Sequence, residues 1–182
     1  MKATGITRKI DELGRIVIPK EIRRTLRIRE GTPLEIFTEK NGEIILRKYS
    51  PMGELMTFAS QYADSLAQTT GMMVCITDLE QVIAAAGGAK KDFFGKTISD
   101  KLDQLIQDRM QSQAAPEEKK YAPIINEEVA EKTYQTICPI ICQGDVIGSV
   151  ILLAKDIRTK MGETEKKLTY CAAGFLGRQM EE

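Results

Sequence analysis

The chain has 182 residues, 42% hydrophobic and 29% charged, and its 26 Lys+Arg balance 26 Asp+Glu to a formal net charge of zero. No apolar run approaches the ~20 residues that cross a bilayer, and the opening MKATGITRKI lacks the apolar stretch of roughly 7–15 residues found in secretory signals, so a cytosolic chain without membrane contact is expected. With no histidine, the commonest general base and the commonest metal ligand are both missing.

The neutrality hides a division. Residues 1–50 hold 12 Lys+Arg against 7 Asp+Glu, and residues 51–182 hold 14 against 19. A basic first part and an acidic second part suggest a polyanion-binding segment joined to a domain with another role. The seam Tyr49-Ser50-Pro51-Met52-Gly53 carries a proline suited to the first turn of a new helix. Two domains are expected, residues 1–50 and 51–182.

In the first domain, Gly5–Asp11 and Arg15–Ile18 read as strands joined through Leu13-Gly14. Pro19 stops the second strand and opens a helix from Lys20 to about Ile28, with Gly31 ending the unit. Ile22 and Leu26, four apart, share one helix face and leave Arg23, Arg24 and Arg27 on the others. Leu34–Thr38 and Glu43–Lys48 read as strands around Asn41-Gly42, a dipeptide that suits the two positive φ angles of a type I′ turn. A unit this small, without disulfide or metal, buries too little apolar surface to stand comfortably alone, so association of copies is expected from size.

The run TGITRKIDELGRIVIPKEIRRTLRIREGTPLEIF, the Asn-Gly hairpin and EIILRKY together resemble the AbrB N-terminal domain over residues 2–49. That family is a bacterial DNA-binding module in which two chains interleave as swapped hairpins. The resemblance implies a mostly-β swapped-hairpin dimer that binds double-stranded DNA. It places Arg8, Lys9, Arg15, Arg23 and Arg24 on the matching DNA-contact positions, with Lys20 and Arg27 as further cations near that face. Arginine's planar fork grips phosphate and can reach guanine edges. The only helix is short, so contacts to phosphates and DNA shape, with a loose consensus, are expected. Strand alternation puts Arg8 on the face of Ile6 and Ile10, which calls for a bulge or an edge position. A single arginine would be read as a solvated surface group; five matched positions favour DNA.

In the second domain, Leu55, Phe58, Ala59, Tyr62, Ala63 and Leu66 keep a helical period, predicting a helix over 54–69 ended at Gly71. Strands follow at Met72–Thr77 and Val82–Ala86. Gly87-Gly88 suits either a turn or a close approach of backbone to a ligand. Ile98–Met110 reads as a helix, residues 111–120 as a polar loop and Tyr121–Asn126 as a weak strand. Thr133–Ile141 and Val146–Ala154 are strong strands around Gln143-Gly144-Asp145, and a last helix runs from Glu163 to Met180. Short connections between adjacent strands imply an antiparallel sheet flanked by helices, an α+β domain.

The run PIICQGDVIGSV, Pro139 to Val150, is similar to the paired-strand pattern of GAF domains. That family holds small regulatory ligands between sheet and helices, and commonly dimerises through its first and last helices. The resemblance implies a small-molecule-sensing or oligomerisation domain, with an effector of unknown identity. It also implies that helices 54–69 and 163–180 can join two dimers into a tetramer. No ligand residue carries over, because nothing between Gly87 and Lys132 reads as a defined motif.

End to end, an AbrB-type head on a GAF-like domain resembles the sporulation transcription regulators of endospore-forming bacteria. This implies a non-enzymatic regulator, activating and repressing spore-development genes, with no catalytic residue, metal or cofactor. Two other classes compete. Antitoxins pair such a head with a short toxin-binding tail, whereas about 130 residues with core patterning follow here. Some GAF-like domains are cysteine-dependent reductases. Cys75, Cys138, Cys142 and Cys171 have no metal-type spacing, and Cys138 lies among isoleucines without flanking cations or a helix N-terminus, a setting for inert packing. Glu117-Glu118 and Glu127-Glu128 read as solvated loops, not acid–base dyads.

Overall fold

The computed structural model describes residues 5–49, 56–88, 90–127 and 132–181. The seam at Ser50–Gly53, the expected helix start at 54 and Glu128 lie outside the described residues. The chain divides into two compact units, Met1–Tyr49 and Ser50–Glu182.

The first unit contains α1 (Lys20–Thr25), β1 (Leu34–Thr38) and β2 (Ile44–Lys48). The helix is shorter than the sequence pattern predicts. Arg27 turns to φ 51, its N–H bonds the Arg24 carbonyl at 3.2 Å, and the Ile28 N–H returns to the Arg23 carbonyl at 2.7 Å. That pair of bonds closes the helix in the manner usually reserved for a left-handed glycine. The strands pair antiparallel with Thr38 opposite Ile44. Their connection is not the expected type I′ turn. Gly42 alone has positive φ, at 82, and its N–H bonds the Glu39 carbonyl, while the Glu39 N–H bonds the Glu43 carbonyl. This is the longer loop in which a glycine bulge follows a tight turn.

Residues 5–11 and 15–18 run without a ladder partner, so the two strands expected there do not form within one chain. One backbone bond, Asp11 N–H to the Arg15 carbonyl at 3.0 Å, links the runs. A strand exists only where another strand offers its N–H and C=O groups. Among the described residues of this unit only Pro19 is buried, while Ile10, Val17, Ile36 and Ile44 are each between 65% and 72% exposed.

The second unit contains α2 (Met56–Thr70), β3 (Met73–Thr77), β4 (Val82–Ala86), α3 (Lys90–Phe93), α4 (Asp100–Gln107), β5 (Ser112–Ala114), β6 (Gln135–Cys142), β7 (Asp145–Leu153) and α5 (Glu163–Gln179). The five strands form one antiparallel sheet in the order β4-β3-β7-β6-β5. Alternation along the strands serves two cores. Val74, Ile76, Cys138, Ile140, Val150 and Leu152 pack on Ala59 and Ala63 of α2 and on Ala172 and Leu176 of α5. Cys75, Ile137, Ile151 and Leu153 face the other way, under Phe93 of α3, Leu102 and Ile106 of α4 and the segment Ala122–Ile125.

Three details depart from the sequence pattern. Helix α4 begins later than Ile98, because the Ser99 hydroxyl caps it by accepting the Leu102 N–H at 3.0 Å while Ile98 bridges to Ile125. That single bridge is all the strand character that 121–126 shows. The polar loop at 111–120 opens with β5, whose Ser112 pairs with Ile137. A three-residue edge strand is too short to show alternation.

Candidate nucleic-acid interface

The loop from Asp11 to Arg15 is built around one carboxylate. Asp11 Oδ1 accepts the N–H groups of Leu13 at 3.0 Å and Arg15 at 2.8 Å, and Oδ2 accepts Arg15 Nε at 2.7 Å. Gly14, at φ 76, makes the turn possible, and its N–H bonds the Asp11 carbonyl. The backbone N–H of Arg15, then its guanidinium, holds the Asp11 carboxyl below its ordinary range. Binding through Nε fixes the guanidinium plane and leaves both terminal nitrogens for a ligand oxygen. A search for cations passes over Asp11; its signal is its place at the head of an Asp-x-x-Gly turn.

Pro19 precedes the first turn of α1, and Arg23 and Arg24 stand in its last turn. Arg23 Nε donates to the Ile18 carbonyl at 3.2 Å, so Arg15 and Arg23 flank the two ends of the Arg15–Ile18 run. Arg8 and Lys9 lie on the preceding extended run, where Arg8 Nη1 reaches only the Thr7 carbonyl at 3.4 Å. All five expected cations are exposed. Arg8 stays exposed together with Ile6 and Ile10 on its own run.

The second unit carries a cavity of about 200 Å³ on the α4 side of the sheet. Its buried wall is Phe93, Tyr121, Ile124, Thr133 and Leu153, with Met73 and Pro123 half-buried, and its exposed rim is Asp92, Glu127, Lys132 and Lys155. Most of these residues fall between Gly87 and Lys132, a stretch whose sequence carries no defined motif. Gly87 takes no part: a Cβ there would stand 2.2 Å from the Met72 carbonyl oxygen, so its close approach is to the chain's own backbone. Glu127 is held by Lys96 at 2.7 Å, and Glu118 by Lys120 at 3.2 Å, which makes neither a dyad member. Burial pushes the Cys138 thiol up to about 11 and the Cys75 thiol further. The Cys142 thiol is raised as well, by desolvation first and then by Glu181 and Asp145. No helix among the described residues is long and apolar enough to cross a membrane.

Known proteins fall in line with both units. The chain is 45% identical over 85 residues to the transition state regulatory protein AbrB of Bacillus subtilis, covering 46% of this chain and 88% of that one. The family model described as antidote-toxin recognition MazE, bacterial antitoxin, matches residues 7–54. Two solved structures share the sheet-and-helix fold. One is the cofactor-binding GAF domain of the nutrient sensor CodY from Clostridium difficile, with TM-score 0.52, 16% identity, and 66% of this chain and 83% of that one covered. The other is a type II free methionine-R-sulfoxide reductase from Thermoplasma acidophilum, with TM-score 0.56, 11% identity, and 71% and 94% covered. At those identities they speak for the fold alone.

An AbrB-like DNA-binding head followed by a GAF-type domain defines a two-domain transcription regulator. The model described as stage V sporulation protein T C-terminal, transcription factor, matches residues 54–181, and the stage V sporulation protein T of Bacillus subtilis is 50% identical over 182 residues, the whole of both chains. The chain belongs to the stage V sporulation protein T family and is a sporulation transcription regulator.

Proposed function

We propose that paired heads dock on duplex DNA through Arg8, Lys9, Arg15, Arg23 and Arg24 of each copy. The chain thereby acts in the cytoplasm, without catalysis, as a loose-consensus activator and repressor of spore-development genes. One observation carries the pairing. In residues 5–49 only Pro19 is buried, while Ile6, Ile10, Ile16, Val17, Ile36 and Ile44 all lie exposed beside unpaired strand edges. A second copy interleaved with the first would supply both the missing ladder and the missing core. We place the domain boundary at residues 50 and 51.

The second domains would join two such pairs through α2 and α5. There Phe58 and Tyr62 stack on Phe175 with ring centroids 5.8 and 5.3 Å apart, and Phe175 stays 39% exposed. A small molecule in the cavity would favour one arrangement of the heads and so change DNA affinity.

Salt tests the DNA reading. The logarithm of affinity should fall steeply with the logarithm of salt, and Arg23→Ala or Arg24→Ala should each flatten the slope by about 0.9 per lost phosphate contact. A flat response in the unaltered protein overturns it. The antitoxin reading draws on the head match over residues 7–54, but the following 128 residues match another family's model. It would regain ground if the purified protein carried a bound toxin. A reductase needs a thiolate near neutral pH, and the upward-shifted thiols of Cys75, Cys138 and Cys142 oppose one.

A further inference from the structure

We propose that the cavity of the second domain takes a small organic carboxylate with a compact apolar body, its carboxylate held at Lys132 and Lys155 and its body laid on Phe93, Ile124 and Leu153. This rests on reading that domain as a sensor, and names what it senses.

Size sets the first limit. A cavity of about 200 Å³ is far more than the ~10–15 Å³ that holds one water, yet it suits only a small molecule. Its wall is apolar and buried, so a bare inorganic anion would leave Phe93, Ile124 and Leu153 uncovered. Charge sets the second. Among the described residues four ionisable side chains stand on the rim, and Glu127 is already paired with Lys96 at 2.7 Å. Among those described residues two cations, Lys132 and Lys155, stand against Asp92, a pair suited to an anion.

A third observation is independent of the rim. Gln135 is fully buried, and neither its amide oxygen nor its amide nitrogen has a hydrogen-bond partner. It stands two residues after Thr133 and directly opposite Leu153 in the ladder, and both of those residues line the cavity. A buried amide left without partners is a costly feature that native folds rarely keep. Gln135 does not line the cavity itself; it marks a polar spot in the wall behind Thr133 and Leu153, while the carboxylate stays at the rim. Asp92 decides between two sources of the same chemistry: a plain acid leaves it unused, whereas an α-amino acid offers it an ammonium group.

The experiment is calorimetric titration of the full chain with 3-methylbutanoate, 4-methylpentanoate and phenylacetate. Their α-amino counterparts valine, leucine and phenylglycine, and the three uncharged amides, are titrated alongside. At least one acid or amino acid should bind at millimolar concentration or below, and its amide should bind at least about tenfold more weakly. Lys132→Ala and Lys155→Ala, both at exposed positions, should each weaken binding about tenfold with the melting temperature unchanged. If amino acids bind best, Asp92→Asn should remove that preference. Binding by no member of the panel, or equal binding of acid and amide, overturns the proposal. DNA affinity measured on the same preparations separates the failures. Intact DNA binding without any ligand sinks this proposal alone. A bound ligand that leaves DNA affinity unchanged keeps the site and sinks the sensor.

Discussion

Asp11 and Gln135 are buried to opposite degrees, yet each is defined by what its polar atoms meet. Asp11 is exposed and fully engaged, with both carboxylate oxygens committed to the loop that aims Arg15. Its carboxyl is depressed below the ordinary value of 3.8, chiefly by the Arg15 N–H. The group therefore holds the loop fully above 3.8, and that hold is lost as pH falls through the lowered value. The Arg15 amide resonance in an NMR titration should move with a midpoint below the ordinary 3.8. Asp11→Ala should weaken DNA binding severalfold although it removes a negative charge from the head. A variant that binds more tightly would mean that Asp11 merely cancels Arg15. Gln135 is the reverse case, buried and unmet. Gln135→Leu keeps the volume and removes the unpaired amide, so the ligand-free protein should gain about 1 kcal/mol, a melting point roughly 2–4 °C higher. Alternation in the sequence marks Gln135 only as a polar position near the start of β6. That β5 and β7 enclose it depends on sheet order, which no local pattern encodes.

Elements were legible where one local rule decides them. Helices α2 and α5 and strands β3, β4, β6 and β7 each bury a regular face, and the periodicity of that face is written in the chain. Turns and ends were less legible, because several backbone solutions compete for the same few residues. Asn41-Gly42 carries the strongest type I′ signal yet closes a longer loop, whereas Gln143-Gly144, with φ angles of 48 and 88, makes the two-residue connection between Cys142 and Asp145. Arg27 ends α1 in a left-handed conformation although Gly31 lies four residues on. Close approach between elements leaves a clearer mark. A Cβ on Gly177 of α5 would stand 2.2 Å from the Ile141 carbonyl oxygen, at the point where β6 shifts register against β7. Gly177→Ala would normally favour a helix, but here it must push α5 off the sheet. The cost should be about 1–3 kcal/mol in a thermal or denaturant melt, despite the gain in helix propensity.

For the whole molecule, the small size of the head and its exposed apolar side chains point the same way: in residues 5–49 one copy buries only Pro19. Phe175 on α5, stacked on Phe58 and Tyr62 and 39% exposed, is where the proposed contact of the second domains would form. The two proposed interfaces differ in chemistry and give a strong test, because each could be broken alone. Ile10→Asp puts a charge where an interleaved head would bury an isoleucine that is 65% exposed in one copy. Phe175→Glu does the same to the helical face. By sedimentation, each variant should halve the mass of the unaltered assembly, and the double variant should be a monomer. DNA binding should separate them further. If all five cations of both heads touch phosphates, the salt slope approaches about −9; Ile10→Asp, with one head per contact, should bring it towards half that value. Phe175→Glu should leave the slope of each head pair intact and lower only the avidity that comes from joining two pairs. An Ile10→Asp protein that keeps its full slope would mean that single heads bind DNA, and the interleaved pair would have to be abandoned.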